Sequence, residues 1–166
     1  MKNPYQVTKD FEEALCEYTG APYAVAVNSG TAALLLSCEW FLQGGKNNII
    51  TIPKCTYMSV PMAIIRAGGR GKFSNEPWHG IYQLRPLPVW DCALRFTSGM
   101  YEGGQFMCIS FSASKILGIE QGGAILHDNA EADSWFRRMR FDGRTEGVDP
   151  KEDTFDVVGD HCIMLP

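Results

Sequence analysis

The sequence predicts an α/β fold in which a mainly parallel sheet carries helices on both faces. Short apolar runs of strand length, among them Ala24–Asn28, Ile49–Ile52 and Phe106–Phe111, alternate with longer segments of helical pattern. Such alternation is typical of parallel strands connected by helices that pack on the sheet. With 166 residues, of which 45% are hydrophobic and 20% charged, the chain has the size and composition of one globular domain.

Charge and composition exclude several classes of protein. The net charge is −4 and basic residues cluster only between Arg137 and Arg144, so the basic face of a nucleic-acid-binding protein is missing. No apolar stretch is long enough to span a bilayer, and the N-terminus lacks the apolar core of a signal peptide. The six cysteines are scattered singly, which argues against a zinc site. We therefore expect a cytoplasmic protein with reduced thiols, no metal and no membrane partner.

Periodic apolar residues predict a helix near the start of the chain. Thr8 is the expected N-cap, and the helix should run to about Tyr18 before Thr19-Gly20 stops it. The residues that recur at helical spacing are Val7, Phe11, Leu15 and Tyr18.

A strand, a tight turn and a helix follow. Ala24–Asn28 is the strand, Ser29-Gly30-Thr31 is the turn, and Ala32–Leu35 opens the helix. This geometry directs backbone N–H groups and the positive end of the helix dipole at one point, where a phosphate can bind. An ordinary turn with a Ser or Thr cap gives the same pattern, and these three residues alone favour that simpler interpretation.

A second unit of the same kind begins at Ile49–Ile52. This strand precedes a helix that starts near Ser59 and ends at Gly68-Gly69. Tyr57 lies just after the strand, where residues line the ligand crevice of an open α/β sheet. An aromatic residue at such a place more often serves packing than ligand binding.

The next segment, Arg70–Pro88, has a weak pattern interrupted by glycine and proline. Trp78 and Tyr82 suggest a short strand or a packed loop there. Pro88–Trp90 then leads to Asp91 at a predicted strand end. Taken alone, Asp91 is equally a cap for the following segment or a functional anion.

The stretch around Lys115 has the least ordinary pattern. Two short apolar strands, Phe106–Phe111 and Ala124–Leu126, flank a turn that carries Lys115. A lysine near low-dielectric walls can lose its proton near neutral pH and attack a carbonyl, although a lysine on a surface turn is the common case. A last helix, capped by Asp128 or Asn129, is predicted to about Arg140, and the remaining chain is polar.

Four of these residues share one structural position. Thr31, Tyr57, Asp91 and Lys115 each follow a predicted strand, and α/β sheets bind ligands beyond the carboxyl ends of their strands. Pyridoxal 5′-phosphate needs such a set, because its aldehyde requires a lysine and its pyridine nitrogen a carboxylate. Its ring suits an aromatic partner, and its phosphate suits a helix N-terminus with hydroxyl groups.

Four sequence blocks resemble, in this order, the DegT/DnrJ/EryC1/StrS family of sugar aminotransferases. The blocks are VAVNSGTAALLL, IPKCTYMSV, VWDCA and CISFSASKILGIEQGGAIL, and the similarity runs from about Phe11 to Gly143. The resemblance implies a type I aminotransferase fold of reduced size, pyridoxal phosphate as cofactor and a homodimer with shared active sites. It also implies transfer of an amino group from an amino acid, typically glutamate, to a nucleotide-linked keto sugar for polysaccharide biosynthesis.

The resemblance assigns a role to each matching position. Lys115 matches the family's Schiff-base lysine, Asp91 the aspartate that pairs with the pyridine nitrogen, and Tyr57 the aromatic residue that stacks on the ring. His161 stands where the family has an asparagine that reaches the phosphate in the neighbouring subunit. The positions expected to bind the phosphate are Ser29, Gly30, Thr31 and Ser110.

Three departures from the family pattern leave an alternative open. Leu94 stands where a Gln or His commonly lies, and only Arg70–Pro88 fills the place of a longer strand-helix-strand unit. The third departure concerns the family's C-terminal portion. We expect residues 1–166 to form a single partial pyridoxal-phosphate-binding large domain without that portion. The alternative is a non-catalytic or truncated relic of the family that acts as a cofactor-binding or structural module.

Overall fold

The structure is a computed structural model that describes residues 5–43, 45 and 48–164, so the ends of the expected domain 1–166 lie outside the described residues. Four helices and seven strands are present in this part of the chain. The helices are α1 (Gln6–Thr19), α2 (Gly30–Leu42), α3 (Ser59–Arg66) and α4 (Ala130–Met139). The strands are β1 (Tyr23–Val27), β2 (Ile49–Pro53), β3 (Arg70–Ser74), β4 (Tyr82–Gln83), β5 (Val89–Asp91), β6 (Phe106–Ser110) and β7 (Gly123–His127). None of the described helices is both long and apolar enough to cross a membrane.

The strands form a five-stranded sheet in the order β1-β7-β6-β5-β4 and a separate parallel pair, β2-β3. Two hydrogen bonds connect the sheets, since Thr51 and Arg85 each donate a backbone N–H to the other's carbonyl, at 2.7 and 3.1 Å. This contact is antiparallel and places β2 beside the end of β4.

The five-stranded sheet is mixed, with three antiparallel strand pairs and one parallel pair, whereas the sequence predicts a mainly parallel sheet. β5 and β6 are parallel, whereas β7 is antiparallel to both of its neighbours and β4 is antiparallel to β5. β1, β5 and β6 therefore run in one direction, and β4 and β7 run against it. The reversal has a physical cause, because a parallel return requires a crossover, usually a helix, and neither β4–β5 nor β6–β7 is joined by one.

Helices cover both faces of the sheet, as predicted. Along β6, Phe106 and Cys108 pack in the core beneath α2 and α4, whereas Met107 and Ile109 pack in the core beneath α1. Alternation of this kind buries both sides of a strand and explains why its sequence reads as a continuous apolar run.

The start of α1 differs from the prediction. Thr8 is not the N-cap but lies inside the helix, where its hydroxyl donates to the carbonyl of Met164 at 3.2 Å. Val7 and Tyr18 are exposed, and the buried residues of the helix are Thr8, Glu12, Leu15 and Thr19. The end of the helix is confirmed, because Gly20 adopts the left-handed conformation with φ of 80°.

The Glu12 carboxylate, which lies against the outer edge of β1, determines which face of α1 is buried. Glu12 Oε1 accepts the backbone N–H of Ala26 at 2.8 Å, and Arg140 donates to both Glu12 and the Ala26 carbonyl. Arg137 donates to the second oxygen of Glu12 at 2.7 Å. Among the described residues, β1 is joined on this side only by an isolated antiparallel bridge between Val27 and Ile163. The charged side chains therefore satisfy backbone groups of Ala26 that would otherwise lack partners.

The other elements follow the predictions with one omission. Ser29 caps α2, and the Asn129 side chain caps α4 by accepting the N–H groups of Glu131 and Ala132, both at 2.9 Å. Strand β3 lies in the segment predicted to be irregular. It is an exposed edge strand whose sequence, RGKFS, lacks the apolar alternation that marks a half-buried strand.

His127 is a buried titratable residue at the end of β7. Its ring stacks between Tyr23 and Phe106, with centroids 5.5 and 5.4 Å away, and neither ring nitrogen has a hydrogen-bond partner among the described residues. Burial lowers the pKa of His127 from its ordinary value of 6.5 to about 4, against the attraction of Asp133 at 3.6 Å. The unfolded chain therefore binds a proton at His127 more readily than the folded chain does.

We predict that replacing Glu12 destabilises the fold through the two arginines that it pairs. The E12Q variant should lose about 3 kcal/mol of unfolding free energy in urea denaturation, because a buried guanidinium is left without a full counter-charge. The matched control is E13Q, since Glu13 is the exposed neighbour on the same helix. Equal stability of the two variants would contradict the role given to Glu12.

We also predict a loss of stability in mild acid that depends on His127. Because the folded-state pKa lies below the unfolded one, the stabilisation is complete above pH 6.5 and falls as the pH decreases toward 4, by about 2 kcal/mol at pH 5. The H127F variant keeps the ring stacking but cannot be protonated, so its unfolding free energy should change less between pH 7 and 5. The exposed His79 provides the control, and H79Q should retain the wild-type pH dependence.

Candidate active site

A cavity of about 290 Å³ lies at the carboxyl ends of β5 and β6, beside the N-terminus of α2. Two segments complete its wall, the residues between β2 and α3 and the connection from β6 to β7. Seven of the eight residues predicted for the site line this cavity, namely Ser29, Gly30, Thr31, Tyr57, Asp91, Ser110 and Lys115.

The N-terminus of α2 is held tightly against the ends of β6 and β7. The Ser29 hydroxyl accepts the N–H of Ala32 at 3.1 Å, which caps the helix. A Cβ atom on Gly30 would lie 2.8 Å from the Cβ of Ser110, and one on Gly123 would lie 2.5 Å from the Ser29 carbonyl carbon. Both positions therefore need glycine, and the close approach brings the hydroxyl-bearing residues to the first turn of the helix.

Asp91 is the buried carboxylate of the site, with 8% of its surface exposed. Its Oδ1 accepts the backbone N–H of Ala93 at 3.0 Å, and its Oδ2 accepts the Tyr82 hydroxyl at 2.7 Å. Burial, together with the charge of Asp91, raises the pKa of Tyr82 well above its ordinary value, so the phenol remains a donor. Sequence reasoning missed the role of Tyr82, because only the β4–β5 register places it directly opposite Asp91.

Lys115 lies in the connection between β6 and β7, where its backbone N–H donates to the backbone carbonyl of Ser112 at 2.8 Å. The residue is half-buried, and its neighbours Ser112 and Ser114 also line the cavity. The structure places this lysine between two buried strands, as the sequence predicts.

The same connection contains a strained turn at Glu120. Gln121 donates its N–H to the Ile119 carbonyl at 2.9 Å, and Glu120 between them has φ of 72°. A three-residue turn with this sign of φ is rare for a residue with a side chain. Glu120 and Gln121 both line the cavity, a contact that the sequence did not suggest.

Tyr57 and His161 occupy outer positions. Tyr57 lines the cavity but is 77% exposed, so it forms part of the rim. His161 does not line this cavity. It is exposed, contacts Asp142 Oδ2 at 2.8 Å, and lines an adjoining cavity of about 280 Å³ that shares Asn28, Gln121 and Gly122 with the first.

The residues around the main cavity fit pyridoxal phosphate. Asp91 uses two of about four acceptor positions on its carboxylate for Tyr82 and Ala93, which leaves capacity toward the cavity. A primary amine, an aromatic rim residue and hydroxyl groups at a helix N-terminus line the same space. The donor set therefore contains each group that the cofactor requires.

The fold is that of the pyridoxal-phosphate-dependent aminotransferases. The Helicobacter pylori aminotransferase PseC, involved in the biosynthesis of pseudoaminic acid, superposes with a TM-score of 0.78 and 20% identity over 94% of this chain and 53% of that one. The sugar aminotransferase CalS13 of Micromonospora echinospora gives a TM-score of 0.77 with 17% identity over 94% of this chain and 56% of that one. The chain thus spans about half the length of these proteins.

Sequence comparison points to one family within this class. Residues 1–75 match the DegT/DnrJ/EryC1/StrS aminotransferase family. A Campylobacter jejuni protein, UDP-4-amino-4,6-dideoxy-N-acetyl-beta-L-altrosamine transaminase, is 38% identical over 64 residues, which make up 39% of this chain and 16% of that protein. The matched residues include the first two of the four sequence blocks, and the resemblance to this family is confirmed for that part of the chain.

We predict that the turn at Glu120 stores backbone strain. The E120G variant should gain about 1 kcal/mol of unfolding free energy, because glycine adopts positive φ without the steric cost paid by other residues. The control E120Q keeps a side chain and removes only the charge, so its stability should equal that of the wild type. A gain in E120Q equal to that in E120G would show that charge, and not backbone strain, is responsible.

Proposed function

We propose that this chain is a pyridoxal-phosphate-dependent aminotransferase that transfers an amino group from an amino acid, glutamate being the expected donor, to a nucleotide-linked keto sugar. The observation that carries the proposal is the cavity in which Lys115, Asp91 and Tyr57 meet the N-terminus of α2. The name of the Campylobacter jejuni relative supports the substrate class. In this proposal the chain forms one pyridoxal-phosphate-binding domain and acts in the cytoplasm.

Each side chain of the site has a role that follows from its position. Ser29, Gly30, Thr31 and Ser110 would hold the phosphate, because N–H groups at a helix N-terminus favour an anion. When bound, the cofactor supplies an aldehyde that links to amines and a protonated ring that accepts electrons.

The remaining residues orient the cofactor and move protons. Asp91 would keep a proton on the ring nitrogen, since an ionised carboxylate accepts a strong, charge-assisted hydrogen bond. Tyr57 would cover one face of the ring. Lys115 Nζ would hold the cofactor through its aldehyde and would take up and return a proton as a general acid and base.

We also propose that the protein functions as a homodimer in which a second copy covers the rim of the cavity. Three apolar side chains that follow Tyr57 at helical spacing are more than half exposed. Met58 is the N-cap residue of α3, and Met62 and Ile65 lie on the helix. Contiguous apolar surface of this kind marks interaction sites. In such a dimer His161 would be available to the site of the second copy.

The cofactor proposal predicts a covalent link at one lysine. Purified chain mixed with pyridoxal phosphate should develop a visible absorption band that borohydride removes, and peptide mapping should locate the reduced adduct on Lys115. The matched controls are K115R, which should form no stable adduct, and K54R, which removes an exposed lysine close to Tyr57 and should behave like the wild type. Wild-type protein that forms the adduct should then produce 2-oxoglutarate from glutamate when a nucleotide-linked keto sugar is added.

Two results would contradict the proposal. If no band develops, or if the adduct is spread over surface lysines, the chain does not assemble the site. The interpretation as a non-catalytic structural module of the family would then replace the enzyme.

A further inference from the structure

The hydrogen bonds behind Asp91 form a short chain of three side chains. Tyr82 OH donates to Asp91 Oδ2 at 2.7 Å, and the hydroxyls of Tyr82 and Thr56 are hydrogen-bonded to each other. Tyr82 is 6% exposed, so solvent has little access to its phenol. Trp78 packs edge-on against the Tyr82 ring with centroids 4.7 Å apart, and its indole N–H donates to the Cys55 carbonyl at 2.8 Å.

The direction of these hydrogen bonds follows from the chemistry of the three side chains. An ionised carboxylate only accepts hydrogen bonds, so the single hydroxyl proton of Tyr82 must point at Asp91. The Tyr82 oxygen can then only accept from Thr56, which fixes the Thr56 proton as well. The sequence of donors therefore runs from Thr56 through Tyr82 to Asp91 and ends at the carboxylate of the cavity.

Thr56 also connects the carboxylate to the rim. It directly precedes Tyr57, and Cys55, whose carbonyl is held by Trp78, precedes Thr56. The loop that carries the exposed Tyr57 is thus anchored to the same buried phenol that holds Asp91. A shift in one of these side chains would have to be accommodated by the other.

We propose that Tyr82 is a positioning residue for the cofactor site, which orients the Asp91 carboxylate and, through Thr56, holds the loop that carries Tyr57. The inference rests on the proposed function, since it concerns the groups that would face the cofactor ring. Tyr82 does not line the cavity itself and acts only through Asp91 and Thr56.

The first test uses the protein without cofactor. Urea unfolding of Y82F, D91N and the double variant gives a double-mutant cycle, and the unfolding constants should show a coupling of about fivefold, because a hydrogen bond to a charged group is stronger than one to a neutral group. The matched control is Y101F, a half-buried tyrosine whose hydroxyl donates to the Gln105 carbonyl at 3.3 Å. The Y101F–D91N cycle should be additive within about twofold.

The second test measures pyridoxal phosphate binding. Y82F should bind the cofactor roughly tenfold more weakly than the wild type, as expected when a charged partner loses a buried donor, and Y101F should bind as the wild type does. Borohydride should still place the adduct on Lys115 in Y82F, since the lysine is not part of the chain of hydrogen bonds. If Y82F does not fold, T56V with D91N replaces it in the cycle, and a coupling of about threefold is expected there.

The outcomes separate this inference from the proposed function. An additive Y82F–D91N cycle, or cofactor binding by Y82F as tight as that by Y101F, overturns the role of Tyr82 even if the wild type forms the Lys115 adduct. If T56V takes the place of Y82F, an additive T56V–D91N cycle does the same. A wild type that binds no pyridoxal phosphate while the cycle remains coupled overturns the proposed function instead.

Discussion

The site depends on how the outer edge of β1 is held. In the described part of the chain, only the isolated Val27–Ile163 bridge pairs with β1 on that side. The backbone groups of Ala26 bond instead to Glu12 and Arg140, both almost fully buried. An isolated buried charge costs several kcal/mol, so these two side chains and Arg137 are obligatory partners. Because Asn28–Thr31 continues directly from β1, the same contacts fix where the N-terminus of α2 points.

The cavity has one wall of regular elements and one of connecting segments. The first consists of strand ends and the helix terminus, where the Gly30–Ser110 approach leaves no space for a further methyl group. The second carries the half-buried Lys115 and the exposed Tyr57. In the proposed function this division places the groups that would hold the phosphate on regular elements, where side chains are positioned more accurately than on loops.

Sequence reasoning recovered the parts of the molecule whose signal is local. The turn at Ser29, the lysine between two apolar strands and the aspartate at a strand end all follow from patterns within a few residues, and the structure brings them together. It failed where the orientation of an element depends on a residue that is distant in the sequence. The buried face of α1 is rotated because Glu12 meets Arg140, which lies 128 residues away, and the helical periodicity of apolar residues carries no information about such a pair. The Tyr82–Asp91 contact was missed for the same reason, because it depends on strand register.

The direction of β4 has a chemical consequence for the site. An antiparallel pair sets two side chains directly across from each other on one face, which places Tyr82 beside Asp91. A strand that entered this position through a crossover helix would run parallel to β5 and would not give this pairing. The short segment before β5 therefore does not leave the buried carboxylate without a donor. The β4–β5 hairpin supplies that donor from its own first strand, nine residues before Asp91.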